Sequence, residues 1–289
     1  MFNADDFGRS DAVNRAVELA YRQGLLTSAS LMVTGEAVER AFELARALPG
    51  LAVGLHLVLS DGRPALPASQ VPHLVRRDGC FPSNPALVWI QYFFSAPARA
   101  EMAREMAAQF DRFAASGLPL VHVDGHQHVH VHPAVFRRLL PLCKQYGARG
   151  LRLPRDDFWQ AMAYDRRNLG RKLVNAAVFA LLCGWHARSV RQSARQGQGQ
   201  QSGYRPAVAG KVFGTLQSGR MDEAYVLRVL ASLRAGTAEL YFHPGTEPEA
   251  DPLGPNPTDL ATLLSPALRQ AVEAHGLKLA TYATLAEEG

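Results

Sequence analysis

The chain has 289 residues, of which 47% are hydrophobic and 20% charged, a balance typical of a globular protein with a substantial core. The net charge is +5, but the basic residues are scattered outside 166–195 and no basic, aromatic-studded motif is present, so we expect no nucleic-acid binding. The three cysteines are far apart and the first residues do not resemble a secretory signal, which indicates a cytoplasmic protein.

Strand-like and helix-like segments alternate along the chain, punctuated by turn residues. The predicted order is helix 10–24, strand 28–33, helix 37–48, strand 51–59, a Pro/Gly-punctuated excursion over 60–95, helix 98–116, strand 120–123, helix 133–146, strand 151–154, helix 221–235, strand 238–242 and a last helix–strand pair over 266–282. Such alternation predicts an α/β fold of parallel βα units, either an open doubly wound sheet or a barrel. Because no linker or internal repeat is visible, we expect a single domain over 1–289.

The longest apolar run, Leu173–Trp185, is shorter than the ~20 residues that a membrane span needs. Basic residues flank it on both sides, so a helix here could touch a membrane surface, although packing on the body of the protein is the favoured interpretation. The Gln/Gly/Ser-rich tract 192–203 is predicted to be a mobile loop. We therefore expect a mobile or membrane-facing insertion around 165–205.

Polar residues lie at the carboxyl ends of predicted strands, where α/β enzymes assemble active sites. Asp5 and Asp6 are adjacent carboxylates whose side chains diverge, so that one can bind a metal ion while the other faces substrate. His56 stands in an apolar strand, where a lone histidine is more often a core residue than a ligand, but the few polar partners around it strengthen the case for a ligand role. His243 ends a strand and precedes a proline, a position that suits a general acid or base.

The tract from His122 to His132 places polar residues at alternate positions. They are His122, Asp124, His126, His128, His130 and His132. An extended strand would present all of them on one face, but Gly125 is expected to break the strand so that only some converge. Because the tract lies between a strand and a proline-started helix, it is interpreted as a βα loop that binds Zn²⁺ or a similar ion. The remaining histidines are candidates for supporting or substrate-facing positions.

Together these segments resemble the YdjC-like carbohydrate deacetylase family. The segments NADDFG, TSASLMV, VGLHLVL, HVDGHQHVH, LRLP and YFHPGT occur in the family's order over nearly the whole chain. Three longer segments, LPGLAVGLHLVLSDGRPALP, KVFGTLQSGRMDEA and ELYFHPGT, are most similar to the hopanoid-biosynthesis-associated, HpnK-type branch.

The resemblance implies a TIM-like, distorted (β/α) barrel that is usually a homodimer and removes acetyl from an N-acetylglucosamine unit. It implies one divalent metal ion held by Asp6, His56 and His126. The ion is Mg²⁺ in many descriptions of the family, whereas the ligand types favour Zn²⁺. It also implies Asp5 as catalytic base, Arg152 as support of that base and His243 as general acid. The branch implies a hopanoid-linked substrate. Soluble chitin-type oligosaccharides, metal-dependent phosphoester hydrolysis and a non-catalytic metal- or lipid-binding barrel are the alternatives.

One feature departs from the family pattern. Only Met1 and Phe2 precede NADDFG, whereas family members have several apolar residues there that form the first strand. We therefore expect this strand to be nearly absent, through a late start site or a trimmed chain. Asp5 and Asp6 would then lose rigid support.

Overall fold

The computed structural model describes residues 1–195, 204–249 and 251–288. Its strands form one seven-stranded sheet in the order β5-β4-β3-β2-β1-β7-β6, and every pairing is parallel. The strands are β1 (Phe2–Phe7), β2 (Ser28–Leu31), β3 (Ala52–Leu57), β4 (His122–Gly125), β5 (Gly150–Leu151), β6 (Lys211–Phe213) and β7 (Ala238–Phe242). The α/β alternation and the parallel sheet predicted from the sequence are confirmed.

The helices lie between and after the strands. They are α1 (Asp11–Gln23), α2 (Val38–Ala47), α3 (Pro85–Phe94), α4 (Ala96–Ala115), α5 (Pro133–Gln145), α6 (Phe158–Tyr164), α7 (Leu169–Arg195), α8 (Glu223–Ser232), α9 (Pro257–Leu263), α10 (Pro266–Ala274) and α11 (Tyr282–Glu288). In α1 the buried residues Val13, Ala16, Val17 and Ala20 follow helical spacing, so one face packs into the core. Ser10 caps this helix by accepting the amide hydrogen of Val13.

The first strand is complete, so the expectation that it would be nearly absent was wrong. All six residues of Phe2–Phe7 are buried, and β1 pairs with β2 on one side and β7 on the other. The amino group of Met1 donates to the carbonyl of Ala238 at 2.9 Å. The polar segment NADDF itself forms the strand, because two neighbouring strands satisfy its backbone donors and acceptors. Asp5 and Asp6 therefore have a rigid support.

The outer strands of the sheet, β5 and β6, approach each other through irregular contacts. Gly150 of β5 forms an isolated parallel bridge with Ala207, and the amide of Val212 in β6 donates to the carbonyl of Arg155 at 3.2 Å. The fold is therefore a curled parallel sheet of seven strands. This description is less specific than the TIM-like barrel that the resemblance implies. Complete barrel closure stays a prediction.

Several predicted elements need correction. Helix α3 lies inside the segment 60–95, which was predicted as an irregular excursion, and β6 was not predicted at all. The predicted last strand is absent, since residues 277–281 are not in a strand and α11 starts at Tyr282. Residues 192–195 of the predicted loop belong to the end of α7, and 196–203 lie outside the described residues.

Candidate metal centre and active site

Asp6, His56 and His126 converge at the carboxyl edge of the sheet, at the ends of β1, β3 and β4. Nε2 of His56 lies 3.4 Å and Nδ1 of His126 lies 3.1 Å from the same Oδ1 of Asp6. All three side chains are buried, and their ligand-type atoms lie within 4.8 Å of one another. The structure thus brings together the three residues that the resemblance implied as metal ligands.

Left-handed backbone conformations aim these side chains. Asp6 has φ of 63°, and the register between β1 and β2 shifts between Ala4 and Phe7. Directly after His126, Gln127 and His128 have φ of 50° and 55°. Such values are uncommon for residues other than glycine and often accompany functional sites. The turn after His126 prevents the tract from continuing as a strand, so only one of its five histidines reaches Asp6.

The chemistry of the three residues fits a divalent ion. Nδ1 of His56 lies 2.8 Å from Oδ1 of Asp124, which leaves its Nε2 directed at Asp6 in the carboxylate–histidine arrangement common at metal sites. Oδ2 of Asp6 and Nε2 of His126 are buried and have no hydrogen-bond partner among the described residues. Leaving a buried carboxylate oxygen without a hydrogen bond is costly, and Arg9, at 3.6 Å from Oδ2 of Asp6, is too far to donate one, whereas a bound cation would satisfy it. Two imidazoles and one carboxylate also form a common zinc ligand set with an open position.

The electrostatics of the cluster favour positive charge at this point. Burial opposes ionisation of Asp6, but His126 and His56 outweigh it and hold the pKa of Asp6 well below its ordinary value. Burial likewise opposes protonation of His56, but the carboxylate of Asp124 outweighs it and raises the pKa of His56 to about 10. The pKa of His126 is also raised, because Asp6 outweighs burial. The cluster therefore favours a bound cation, whether a proton or a metal ion.

Asp5 lies beside this cluster, and its carboxylate binds Arg152. Nη1 and Nη2 of Arg152 donate to the two oxygens of Asp5 at 2.7 and 2.8 Å, and Nδ2 of Asn3 donates to Oδ1 at 2.8 Å. Arg152 is fully buried and also contacts Asp124 at 2.8 Å and Glu239 at 2.7 Å. Burial lowers the pKa of Arg152, but the carboxylates of Asp124, Asp5 and Glu239 outweigh it and raise that pKa well above its usual value. Arg152 thus fixes the orientation of Asp5, as the resemblance implied.

A second group of ligand-type atoms, from Asp5, His56 and Asp124, also lies within 4.8 Å. Both carboxylates in it already bind the guanidinium of Arg152. A cation placed there would be repelled by that buried charge. The cluster of Asp6, His56 and His126 is therefore the better candidate for a metal centre.

The other four histidines of the tract are held in hydrogen bonds away from Asp6. His122 pairs with Ser30 Oγ at 3.0 Å, His128 with Tyr241 Oη at 2.9 Å, His130 donates to the carbonyl of Arg152 at 3.0 Å, and His132 accepts from the amide of Ala134 at 3.1 Å. Burial lowers the pKa of all four, to about 4 for His130 and His132. These histidines are neutral supports of the site and of α5.

His243 directly follows β7 and is partly buried. Its backbone amide donates to Oδ2 of Asp259 at 2.9 Å, and its ring meets that of Tyr241 edge-on at 5.6 Å. A positive charge on His243 helps to lower the pKa of Asp6, so His243 lies within electrostatic range of the metal centre. Nδ1 of His243 has no partner among the described residues. The position suits the general-acid role that the resemblance implied.

Two charged residues at the site were not predicted from the sequence. Oδ2 of Asp61 lies 3.8 Å from Nε2 of His126, and Nη1 of Arg9 lies 3.6 Å from Oδ2 of Asp6. Arg9 also binds Glu249 at 2.9 Å. Both Asp61 and Arg9 line a cavity of about 400 Å³ beside the metal centre. Their one sequence signal was a polar turn directly after a strand, which many surface loops share.

An Asp/His cluster at the carboxyl ends of parallel strands, next to a cavity, is typical of α/β hydrolases that use a divalent ion. The family model described as YdjC-like protein matches residues 1–274. The chain belongs to the YdjC-like family.

Relatives with assigned activities are similar to much of the chain. A chitooligosaccharide deacetylase of Salmonella typhi is 32% identical over 260 residues, which cover 84% of this chain and 96% of that protein. A carbohydrate deacetylase of Brevibacillus brevis is 43% identical over 144 residues, 50% of this chain. That alignment covers 55% of the Brevibacillus protein, so this chain matches about half of its length.

A solved structure shares the fold. A protein from Enterococcus faecalis V583, ascribed to cellobiose-phosphate cleavage, superimposes with a TM-score of 0.72. The superposition covers 99% of this chain and 97% of that one, at 24% identity. The similarity extends over both chains and therefore supports the architecture as a whole.

Proposed function

We propose that this protein is a carbohydrate N-deacetylase that hydrolyses the acetamide of an amino sugar with the help of one divalent metal ion. The observation that carries the proposal is the convergence of Asp6, His56 and His126 beside the Asp5–Arg152 pair. The deacetylases of Salmonella and Brevibacillus, to which the chain is similar, support this reaction type.

A divalent ion held by Asp6, His56 and His126 would polarise the acetamide carbonyl and lower the pKa of water. Asp5 accepts the proton of the attacking water. Oδ1 of Asp5 already accepts bonds from Arg152 and Asn3, whereas Oδ2 accepts one bond, from Arg152, and keeps a further lone pair for this purpose. Because Arg152 binds both oxygens, the carboxylate cannot rotate away from the reacting water. His243 protonates the departing amine, a step that its unpaired Nδ1 and its position near Asp6 support.

Two imidazoles and one carboxylate favour Zn²⁺ as the ion, and the family resemblance keeps Mg²⁺ as the alternative. Elemental analysis of the purified protein, followed by reconstitution with each ion, decides between them.

The substrate is an N-acetylglucosamine unit, for which we favour a lipid-linked form over a free oligosaccharide. The similarity to the hopanoid-associated branch and the exposed apolar side chains of α7 support a lipid link. The Salmonella relative, matched over 96% of its length, supports the soluble chitin-type substrate instead. We place the protein in the cytoplasm, with peripheral contact at the inner face of the membrane, and expect a homodimer as in the family it resembles.

Released acetate tests the proposal directly. Metal-loaded protein is incubated with diacetylchitobiose and, separately, with an N-acetylglucosaminyl lipid. We expect acetate from one or both, with the faster substrate identifying the class. Acetate from neither substrate with any divalent ion would contradict the deacetylase assignment.

Variants separate binding of the ion from proton transfer. We expect Asp6→Asn and His126→Ala to lose both bound metal and turnover, whereas Asp5→Asn keeps the metal and loses roughly 10²–10⁴-fold in turnover. His275→Ala, an exposed histidine after α10, is the matched control and keeps both. Full activity in Asp5→Asn would show that another group is the base.

A further inference from the structure

Helix α7 has two apolar faces, and only its inner face packs on the body of the protein. On the inner face, Sγ of Cys183 donates to the carbonyl of Pro154 at 3.6 Å and Nε2 of His186 donates to the carbonyl of Val131 at 2.7 Å. Large side chains on the opposite side are exposed: Leu173 54%, Val174 60%, Val178 41%, Leu181 76% and Trp185 48%. Val174, Val178, Leu181 and Trp185 follow one another at four, three and four residues, which places them on one stripe, the outer face of α7; Leu173 is next to Val174 in the sequence.

The outer face is unusual for a folded protein. A helix that is apolar all round is normally buried on all sides, and a large exposed apolar patch usually marks an interaction site. Among the described residues, α7 is the one helix long and apolar enough to cross a membrane, yet only 17% of its apolar window is buried. Helix α3 adds exposed apolar side chains of its own: Leu87 58%, Ile90 56% and Phe94 84%.

Helices α3 and α7 flank the same stretch of chain. The ring of Phe93 in α3 lies 4.2 Å from that of His132, and His186 of α7 binds the carbonyl of Val131. Phe136 in α5 stacks on His186 at 3.6 Å. The two helices with exposed apolar side chains, α3 and α7, are therefore neighbours in the structure.

The charged residues of α7 all have one sign. Exposed Arg171 precedes the stripe, and exposed Arg188 and Arg191 follow it. The helix Leu169–Arg195 contains no aspartate or glutamate. An apolar centre between cationic ends complements a bilayer with anionic headgroups, which accepts apolar side chains and attracts arginines.

We propose that the outer face of α7, assisted by α3, docks the protein on the surface of an anionic lipid membrane. The bonds of Cys183 and His186 hold the inner face on the protein, so α7 lies along the membrane instead of crossing it. A second copy is a poorer occupant, because a two-fold interface would place arginine-ended faces without carboxylates against each other. This docking does not depend on the deacetylase reaction.

Vesicle co-sedimentation of the full chain tests the docking. Vesicles of phosphatidylcholine alone are compared with vesicles that also contain phosphatidylglycerol, at low and high salt. We expect binding to the anionic vesicles that weakens at high salt, since the arginines act through screened charges. Leu181→Glu should weaken binding about tenfold or more, because it removes a leucine from the membrane contact.

The matched control is Leu279→Glu, which changes a side chain that is 48% exposed outside α3 and α7 and should leave binding unchanged. Circular dichroism and acetate release from diacetylchitobiose verify that Leu181→Glu is folded. The docking is overturned if the wild type binds neither vesicle, or if Leu181→Glu binds as well as the wild type. It is also overturned if light scattering shows a lipid-indifferent dimer that Leu181→Glu converts to monomers. Vesicle binding without acetate release from either diacetylchitobiose or the N-acetylglucosaminyl lipid would instead preserve the docking and contradict the deacetylase proposal.

Discussion

A single carboxylate, Asp124, connects the two halves of the site. Its Oδ1 lies 2.8 Å from Nδ1 of His56, and its Oδ2 lies 2.8 Å from Nη1 of Arg152, which in turn holds Asp5. Burial disfavours the charged form, but Arg152 and His56 outweigh it and keep the pKa of Asp124 well below its usual value. Asp124 thereby orients a metal ligand and a catalytic base at once.

We expect Asp124→Asn to weaken metal binding by roughly 10–100-fold, because His56 loses the charged acceptor that fixes its Nε2 toward Asp6. Zinc affinity is measured by competition with a chromophoric chelator. Asp111→Asn, which changes an exposed acid bound to Tyr146, is the control and should retain the wild-type affinity. An unchanged affinity in Asp124→Asn would contradict the orienting role.

The sequence predicted which residues form the site better than it predicted the contacts that each of them makes. The convergence of Asp6, His56 and His126 and the contact of Arg152 with Asp5 followed from the family resemblance. The contacts of Asp61 and Arg9 with the metal centre did not, because they depend on how two loops fold over one cavity. The positions of the other tract histidines depend on the left-handed backbone conformation of Gln127 and His128. Nothing in the local sequence pattern predicts that conformation.

At the scale of elements, the side chain of His122 in β4 fits against β3 because β3 has a glycine at that point. A Cβ placed on Gly54 would lie 2.5 Å from the ring of His122 on the neighbouring strand. His122 pairs with Ser30 and stacks on Tyr282 at 5.2 Å, so it has little room to move. Gly54 therefore leaves the space that the ring of His122 occupies beside β3.

We expect Gly54→Ala to destabilise the protein by about 1–3 kcal/mol, the usual cost of overpacking a core. Urea unfolding followed by circular dichroism measures the change. Gly184→Ala is the matched control, since Gly184 lies within α7 with no atom within 4 Å of the added Cβ. Alanine is the better helix former, so the control should gain about 0.5–1 kcal/mol. Equal stabilities for the two variants would contradict the packing constraint.

The elements with a clear apolar period were predicted within a few residues, and the exceptions have physical causes. Helix α3, PALVWIQYFF, is apolar on all sides and so shows no period, and β6 has only three residues. The completeness of β1 was predicted wrongly because its backbone bonds come from β2 and β7, not from apolar side chains of its own.

The whole molecule assembles its site from distant parts of the chain. Strand β1 lies between β2 and β7, so Asp6 and His243 lie at the ends of adjacent strands. These two strands are far apart in the sequence: Met1 and its hydrogen-bond partner Ala238 differ by 237 in residue number. Sequence periodicity predicts strands but not this order, because pairing between distant segments depends on the entire sheet. The buried cluster of Asp6, His56 and His126 consequently links β1, β3 and β4 across the sheet, so an ion bound to it should stabilise the fold itself.

Metal removal tests this coupling. An ion at about 100 times its Kd stabilises a folded protein by about 2.7 kcal/mol, which for a chain of this size corresponds to a rise in Tm of roughly 4–5 °C. We therefore expect chelator-treated protein to gain this much on adding Zn²⁺ or Mg²⁺, measured by scanning calorimetry. Asp6→Asn should gain little, because it loses the carboxylate that both imidazoles face. An equal rise in the Tm of Asp6→Asn would show that the ion binds to other histidines. No rise in the Tm of the wild type would contradict metal binding at the cluster.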